Sequence, residues 1–448
     1  MASNLENLTD ALLAAARRAG ADAADALAIE GRSVSVDVLN GALEHAERSE
    51  GIDIGLRVLI GQRQASVSSS DINPDTISEM ATRAVAMARE APEDDAIGLA
   101  TPEQFSVQRD GTGLELADPT PEPNPKMLER DALEAEAAAL AVTGVTQVQG
   151  ASAGYSASAL HLASSAGFSG GYGRTGRSTS CVAISGEGLS MERDYAGESR
   201  TFQDDLPPAA EIGRLAGERA VARSGPKKPP TGAFPVLFDE RVSASLIGHL
   251  LAAINGNAIV RGASWLRDAL GERILPASFN LTEDPRRKRI SGSRPFDGEG
   301  LATCGRDIVH DGVLQGWTLD LATARRLGMQ SSANAARGTS SPPAPAAGNV
   351  TLGAGPSSRA DLIADMGTGL IVTSMIGASI NPTTGDYSRG ASGFWVENGE
   401  ITGPVNECTI AGNLREMLAS MHAANDARTY LSRVVPSLLV EGLTIAGA

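Results

Sequence analysis

Helical and strand-like hydrophobic patterns alternate along the first 92 residues. Leu5, Leu8, Leu12 and Ala16 recur at helical spacing and predict an amphipathic helix over 4–19. Residues 33–40 (SVSVDVLN) alternate strictly between apolar and polar side chains, as a half-buried strand does. Similar patterns predict strands at 21–30, 43–50, 52–60 and 64–69, and a helix at 74–87. The order for 1–92 is therefore helix, antiparallel meander and helix, with Asn40-Gly41 as a hairpin turn.

The same order of elements recurs in the middle of the chain. Residues 126–141 and 207–223 have helical patterns, and four short strand patterns lie between them, at 145–153, 156–163, 177–184 and 187–195. The preceding segment, 93–125, is rich in proline and acidic residues and is predicted to be a linker or a long surface loop. The sequence leaves open whether 1–92 and 126–225 pack together as one α/β half.

Short β patterns dominate the chain after residue 231. A strand at 234–238 precedes a helix, 243–254, that is apolar almost all round and is therefore expected to be buried. Asp311-Gly312 and Asn398-Gly399 predict hairpin turns. We predict an α+β protein with an N-terminal α/β half of helix–antiparallel meander–helix units and a C-terminal, mainly-β, barrel-like domain (231–448) carrying one buried helix. The predicted division is 1–92, 93–125, 126–225 and 231–448.

Charge and cysteine content narrow the classes of partner and compartment. The chain of 448 residues has a net charge of −16, and all of this excess lies in residues 1–225, with 34 acidic against 18 basic residues. Such a surface argues against nucleic acid or an anionic membrane as a partner. The apolar runs are shorter than a membrane span, and the N-terminal pattern is the reverse of a secretory signal, so we expect a cytoplasmic protein. Cys181, Cys304 and Cys408 are too far apart for a metal clip.

Two short motifs match catalytic or cofactor patterns in the wrong context. Residues 171–176 fit GxGxxG, and residues 150–154 fit GxSxG with Ser152 as the serine. Both fingerprints need a following helix, and both are followed here by a predicted strand. The five histidines never fall at metal-ligand spacing. His161 alternates with leucines and is expected to face outward from a strand.

Longer consecutive matches lie between residues 366 and 414. They are MGTGL at 366–370, NPTTGDYSRGA at 381–391, GFWVENGE at 393–400 and TIAGN at 409–413. Together with the N-terminal meander, they resemble the TldD/PmbA family of bacterial proteins, and specifically its PmbA (TldE) branch. The resemblance extends over nearly the whole chain.

The resemblance implies a protease made of two different chains. The TldD branch carries an HExxxH zinc motif on a helix and a cysteine ligand near its C-terminus, and it pairs with TldE to degrade unfolded peptides and trim leader peptides. In this chain the motif positions are Ile247 (first ligand), Gly248 (base) and Ala252 (second ligand). Residues 425–443 contain no cysteine, and Cys408 lies too far upstream to be equated with the third ligand. The resemblance therefore implies no catalytic residue and no metal on this chain, with zinc on a TldD-like partner.

The remaining role would be to complete a chamber and hold peptide. The glycine-rich segment 367–400 could offer a sheet edge for an extended peptide. Asn381, Asp386, Arg389 and Trp395 are candidates either for peptide contacts or for bracing loops. His249 is expected to be a hydrogen-bonded core or interface histidine. Two alternatives stay open: a stand-alone homodimer that binds peptides or regulates another protein, and, more weakly, a serine hydrolase that uses Ser152.

Overall fold

The computed structural model of the protein describes residues 2–447, with the side chains of residues 2, 3 and 378 outside the description. The first half contains four helices and six strands along the described chain. In order these are α1 (Ala2–Ala19), β1 (Ala23–Leu39), β2 (Ala42–Ile60), β3 (Arg63–Ser69), α2 (Pro74–Glu90), α3 (Pro125–Leu140), β4 (Val145–Ser164), β5 (Ser169–Ser185), β6 (Glu192–Arg200) and α4 (Ala209–Ala222), with 3-10 turns at Pro102–Gln104, Gly188–Ser190 and Gln203–Asp205.

All six strands form one antiparallel sheet in the order β3-β2-β1-β4-β5-β6. The first and middle regions, whose relation the sequence left open, therefore share a sheet in which β1 pairs with β4. The strand pairs predicted at 21–30 and 33–40, and at 145–153 and 156–163, are each one long strand. Gly31 does not break β1, because it pairs with Gly51 on one side and Ser158 on the other.

The two faces of this sheet have different neighbours. Ala24, Ala26 and Ala28 of β1 lie in the core formed with α1 and α2, and Val34, Val36 and Val38 lie in the core formed with α3 and α4. Leu27, which points the opposite way, packs with Phe296 and Leu301 of the second half. Segment 93–125 is largely irregular, and its Phe105 joins this same cluster. The sheet thus lies between a helical layer and the C-terminal half.

The second half contains five helices and thirteen strands in the described chain. They are β7 (Gly232–Phe238), α5 (Glu240–Ala253), α6 (Gly256–Val260), β8 (Leu281–Glu283), β9 (Arg306–His310), β10 (Val313–Leu314), α7 (Leu321–Leu327), β11 (Ala335–Ala336), β12 (Ala344–Pro345), β13 (Val350–Leu352), α8 (Arg359–Met366), β14 (Gly369–Ile380), β15 (Asp386–Glu397), β16 (Glu400–Asn413), α9 (Leu414–Ala419), β17 (His422–Ala423), β18 (Arg433–Val434) and β19 (Leu438–Ala446).

A closed five-stranded barrel forms the centre of this half, which confirms the predicted barrel-like fold. Its strands follow the order β16-β15-β14-β7-β19, and a further pairing of β16 with β19 closes the ring. The β14–β7 pair is parallel, and the other pairs are antiparallel. The predicted turns at Asp311-Gly312 and Asn398-Gly399 both have positive φ angles and join consecutive strands. A separate sheet, β10-β9-β8-β13-β18, packs nearby.

Helix α5 is the buried helix predicted from its composition. Leu246, Ile247 and Leu250 are fully buried and join the main core of the C-terminal half. The helix begins at Asp239, whose carboxylate accepts a hydrogen bond from the amide of Arg241. Within residues 2–447, no helix combines the length and the apolar character needed to cross a bilayer.

Candidate functional site

One strip of helix α5 is reached by solvent although the rest of the helix is buried. Gly248 and His249 are half-buried, and Ala252 is exposed. The uniformly apolar composition predicted burial on every side, but the barrel and the second sheet cover only part of the helix. This strip is the candidate functional site, because it carries Gly248 and Ala252, two of the three positions that the resemblance assigns to the zinc motif.

The side chains on the strip do not fit a zinc ion. Ile247 and Ala252 offer only hydrocarbon, and Gly248 has no side chain to act as a base. Ile247 lies in the core with no exposed surface, whereas Ala252 is exposed. These two positions are about 140° apart around a regular helix. Among residues 2–447, no three His, Cys, Asp or Glu side chains come together in a way that could hold a metal ion.

The cysteines offer no thiolate to this strip. Cys408 is buried in β16, where its thiol donates to the carbonyl oxygen of Ala391 at 3.2 Å. Burial raises the pKa of Cys408 to about 11 and that of Cys181 to about 12. Both thiols are therefore protonated near neutral pH when no metal is bound. Cys304 is exposed.

His249 is not hydrogen-bonded in the way its sequence context suggested. Its Nε2 atom is buried and has no hydrogen-bond partner among the described residues. The ring meets Tyr387 edge-on, with centroids 5.9 Å apart, and the Tyr387 hydroxyl donates to the sulfur of Met375 instead. Burial, and then the positive charge of Arg389, lower the pKa of His249 below its usual value. At neutral pH the side chain is therefore an uncharged imidazole with an unused polar atom.

The guanidinium of Arg433 lies close to Gly248 of the helix. A Cβ atom placed on Gly248 would be 3.2 Å from Nη1 of Arg433, so a larger residue would require this side chain to shift by a few tenths of an ångström. Arg433 belongs to β18 and is exposed. Sequence reasoning missed it, because it lies 185 positions after Gly248 in a segment noted only for lacking cysteine.

Asn381 and Asp386, two of the predicted peptide contacts, organise the loop between β14 and β15. The Asn381 side chain accepts hydrogen bonds from the amides of Thr383 and Thr384. The Asp386 carboxylate accepts from the hydroxyl of Thr384 and the amide side chain of Asn413. Both residues are exposed, but all of these bonds are local. Their placement favours the bracing role that the sequence left open.

Arg389 and Trp395, the other two candidates, have opposite placements. Trp395 is only 7% exposed, packs edge-on against Phe234 and donates its indole N–H to Glu397. Trp395 therefore belongs to the barrel core and is too buried to contact a bound peptide. Arg389 is half-buried beside His249, and its Nε donates to the carbonyl oxygen of Gly377 at 2.7 Å.

The expectation that segment 367–400 offers a sheet edge is correct for only one part of it. β15 is paired on both sides, and β14 pairs with β7 from Leu370 to Val372. Beyond Val372, no described strand pairs with β14 on the side away from β15. Ser374, Ile376 and Gly377 of this outer half are exposed. This outer edge, residues 373–380, can accept an extended peptide.

The two catalytic-looking motifs are parts of strands. Ser152 lies within β4 and donates its hydroxyl to Asp37, and no histidine contacts it. Residues 171–176 lie within β5, where a Cβ on Gly171 would collide with the Leu160 carbonyl at 2.5 Å. Close strand pairing therefore accounts for that glycine without a cofactor.

His161, predicted to face outward, is instead buried at 6% exposure. Its ring nitrogens share hydrogen bonds with the hydroxyls of Thr9 (2.8 Å) and Ser169 (3.2 Å). The outward prediction was wrong because helix α1 covers this face of the sheet, which the alternation along β4 could not reveal.

A network of ion pairs fixes the first turn of α5 to the N-terminal half. Arg241 lies 3.1 Å from Asp194 of β6, and Arg428 lies 2.6 Å from Glu240. Arg428 also approaches Glu198 of β6. These groups are mostly buried, and the hydrogen bond from Arg241 to Asp194, together with the ion pairs of Arg428, restricts how the helix can move relative to the first sheet. The candidate strip thus has a rigid support.

Profiles of one protein family match most of the chain. Residues 231–447 match the C-terminal domain of the PmbA/TldA metallopeptidases, residues 24–88 match their domain 1, and residues 116–224 match their central domain. Metalloprotease PmbA of Escherichia coli O157:H7 is 34% identical over 427 residues, which are 95% of this chain and 92% of that protein.

Solved structures show the same architecture. A protein from Bacteroides thetaiotaomicron, described as a candidate modulator of DNA gyrase, superposes with a TM-score of 0.91 at 28% identity, covering 99% of this chain and 98% of that one. TldE from Thermococcus kodakarensis superposes with a TM-score of 0.84 at 20% identity, covering 98% of this chain and all of that one. At 20% identity the likeness concerns the fold alone.

Proposed function

Because the chain belongs to the PmbA/TldD metallopeptidase family, we propose that it is the non-catalytic subunit of a two-chain zinc metalloprotease. Its partner would be a TldD-like chain that supplies the zinc ion, the general base and the water that attacks the peptide bond. This chain would form one wall of the reaction chamber. The substrates would be unfolded peptides or leader segments, which can enter such a chamber in extended form.

The observation that carries this proposal is the chemistry of the α5 strip. Ile247, Gly248 and Ala252 occupy the positions of two ligands and a base, and none of them can serve. The helix itself is kept and firmly held, with Ile247 fully buried and Glu240 paired to Arg428. A supporting wall without a metal site is what a heterodimer with one active centre requires.

The outer edge of β14 supports a role in holding the substrate. Residues 373–380 offer backbone groups on the side that β7 does not cover. An extended peptide can add to such an edge through main-chain hydrogen bonds, and this recognition tolerates many sequences. That tolerance suits a protease for unfolded chains. The three cysteines, all free, suit a reducing cytoplasmic location.

Co-expression provides the test. The purified chain alone should contain less than about a tenth of an equivalent of zinc, because it has no ligand set. Co-expressed with a TldD-like chain that carries HExxxH, it should co-purify in a complex that holds zinc and cleaves unfolded peptides. A chelator should abolish that cleavage. The matched control replaces the motif glutamate of the partner with glutamine, which should leave the complex intact and inactive.

Three results would contradict the proposal. Stoichiometric zinc on the isolated chain would mean that a metal site exists elsewhere on it. Failure to form a complex, combined with a homodimer that binds peptides without cleaving them, would favour the stand-alone binding protein. Loss of an intrinsic activity in Ser152→Ala would favour the serine hydrolase.

A further inference from the structure

Two guanidinium groups border the α5 strip in a chain that is otherwise acidic. Arg433 lies over Gly248, and Arg389 lies beside His249 on the neighbouring strand β15. They reach the strip from elements far apart in sequence. The C-terminal half as a whole is neutral, with 20 acidic and 20 basic residues in 226–448, so these two guanidinium groups give the strip a local positive charge.

These two arginines differ from those at the start of the same helix. Arg241 and Arg428 there are each paired with carboxylates. The side chain of Arg433, in contrast, makes no hydrogen bond or ion pair with any residue between 2 and 447. Arg389 uses its Nε on the Gly377 carbonyl, and its terminal nitrogens have no bonded partner in the same range. Several N–H donors on this strip are therefore available to a ligand.

The absence of a side chain at residue 248 leaves room for Arg433 beside the helix. Any Cβ there would come within 3.2 Å of Nη1 of Arg433. A glutamate at the base position would also neutralise the guanidinium. The glycine at position 248 therefore supplies no base and leaves space for Arg433 beside the helix backbone.

We propose that Arg389 and Arg433 form a carboxylate-binding site that holds an acidic group of the bound peptide. The free C-terminal carboxylate of a peptide or a cleavage product is the ligand we assign to it. A guanidinium presents a planar fork of donors that matches a carboxylate, and the terminal nitrogens of both arginines are free to bind one. The bond from Arg389 to Gly377 attaches the site to the outer edge of β14, along which the peptide would lie.

This inference deepens the proposed function and rests on its peptide edge, but it can be tested on the full-length chain without any partner. The probes are three fluorescent, unstructured peptides of one sequence without acidic residues. The first has a free C-terminus, the second has a C-terminal amide, and the third has the amide and one internal glutamate. Affinity is measured by fluorescence anisotropy at low and high salt.

We expect the free-acid peptide to bind about tenfold more tightly than the amide, and the difference to shrink at high salt. Arg433→Gln and Arg389→Gln should each remove that difference. Arg83→Gln on α2 is the matched control, since it removes one exposed, unpaired charge far from the strip and should change nothing. Equal thermal unfolding of the variants would show that the fold is intact.

The possible outcomes separate the carboxylate site from the proposed function. Equal binding of acid and amide, with affinity unchanged in Arg433→Gln, would overturn the carboxylate site and leave the peptide edge standing. Tight binding of the third peptide alone would mean that the site binds an acidic side chain and not a C-terminal carboxylate. This result would overturn the ligand proposed here. Absence of binding by all three peptides would overturn the carboxylate site. The proposed subunit role would still be tested separately, by zinc content and by co-purification with the partner.

Discussion

Arg337 donates a hydrogen bond to Asp25 across 312 positions of sequence and joins the two halves of the chain. Asp25, on β1, also accepts from Nε of Arg57 on β2 at 3.0 Å. All three side chains are at most 5% exposed. One carboxylate thus serves two buried guanidinium groups at the boundary between the first sheet and the C-terminal half.

Replacing Asp25 with asparagine should destabilise the whole chain. Two buried guanidinium groups would lose the carboxylate to which both donate, which costs about 3–5 kcal/mol. Denaturant unfolding followed by circular dichroism would measure the loss. Glu218→Gln, which breaks the exposed pair with Arg214 on α4, is the control and should cost less than about 0.5 kcal/mol. Equal effects of the two substitutions would mean that the network does not hold the halves together.

Glu299, which lies near this boundary, should make the stability depend on pH. Burial, and then the negative charges of Asp297 and Asp320, raise the pKa of Glu299 to about 8 against the opposing effects of the Leu321 amide and Arg57. The folded chain therefore binds a proton that the unfolded chain has already released, so stability should fall as pH rises from about 4.5 to about 8.

Glu299→Gln should flatten this pH dependence, because an amide does not titrate. Its side-chain oxygen can still accept from the Leu321 amide, which bonds Glu299 at 2.9 Å. Melting temperatures of both proteins across this pH range provide the measurement. A variant that loses stability as steeply as the parent would assign the effect to another group.

His249→Phe should fold at least as stably as the parent. The phenyl ring can keep the edge-on contact with Tyr387 and removes a buried nitrogen without a partner, so the free energy of unfolding should be unchanged or rise by about 1 kcal/mol. His161→Phe is the control. Both of its nitrogens are hydrogen-bonded, and their loss should cost about 1–3 kcal/mol.

His249→Phe should also resist unfolding by acid better than the parent chain. The lowered pKa of His249 means that the unfolded chain takes up a proton at a higher pH than the folded chain, so stability is lost as pH falls below about 6.5. His249→Phe removes this loss of stability at acidic pH. Melting curves near neutral pH and at about pH 5 would reveal the difference. An identical acid sensitivity would exclude His249 as the cause.

Restoring the two histidines of the zinc motif should not create a metal site. In Ile247→His/Ala252→His, the first imidazole would replace a fully buried residue and the second would point to solvent. We expect less than about a tenth of an equivalent of zinc and a loss of about 2 kcal/mol in stability. Ala252→His alone should unfold like the parent. Stoichiometric zinc by elemental analysis would show that the helix can rearrange to bring both positions together.

Much of the fold follows from local patterns. The alternation in β1, the helical spacing in α1 and the left-handed turn at Asn40-Gly41 are set by side chains close in sequence. Short helices such as α7 and α8 were not predicted, since seven or eight residues show too little periodicity. The prediction of two separate strands within β1 was also wrong. Its continuity comes from partner strands on both sides, which no local pattern encodes.

The sequence by itself determined that Ile247, Gly248 and Ala252 can supply neither a metal ligand nor a general base, because residue type alone decides what can bind a metal. Only the tertiary structure decided what replaces them. It leaves one strip of α5 open, sets Arg433 over Gly248 and leaves Nε2 of His249 without a partner. These relations join residues up to 185 positions apart, and long-range packing, not composition, brings them together.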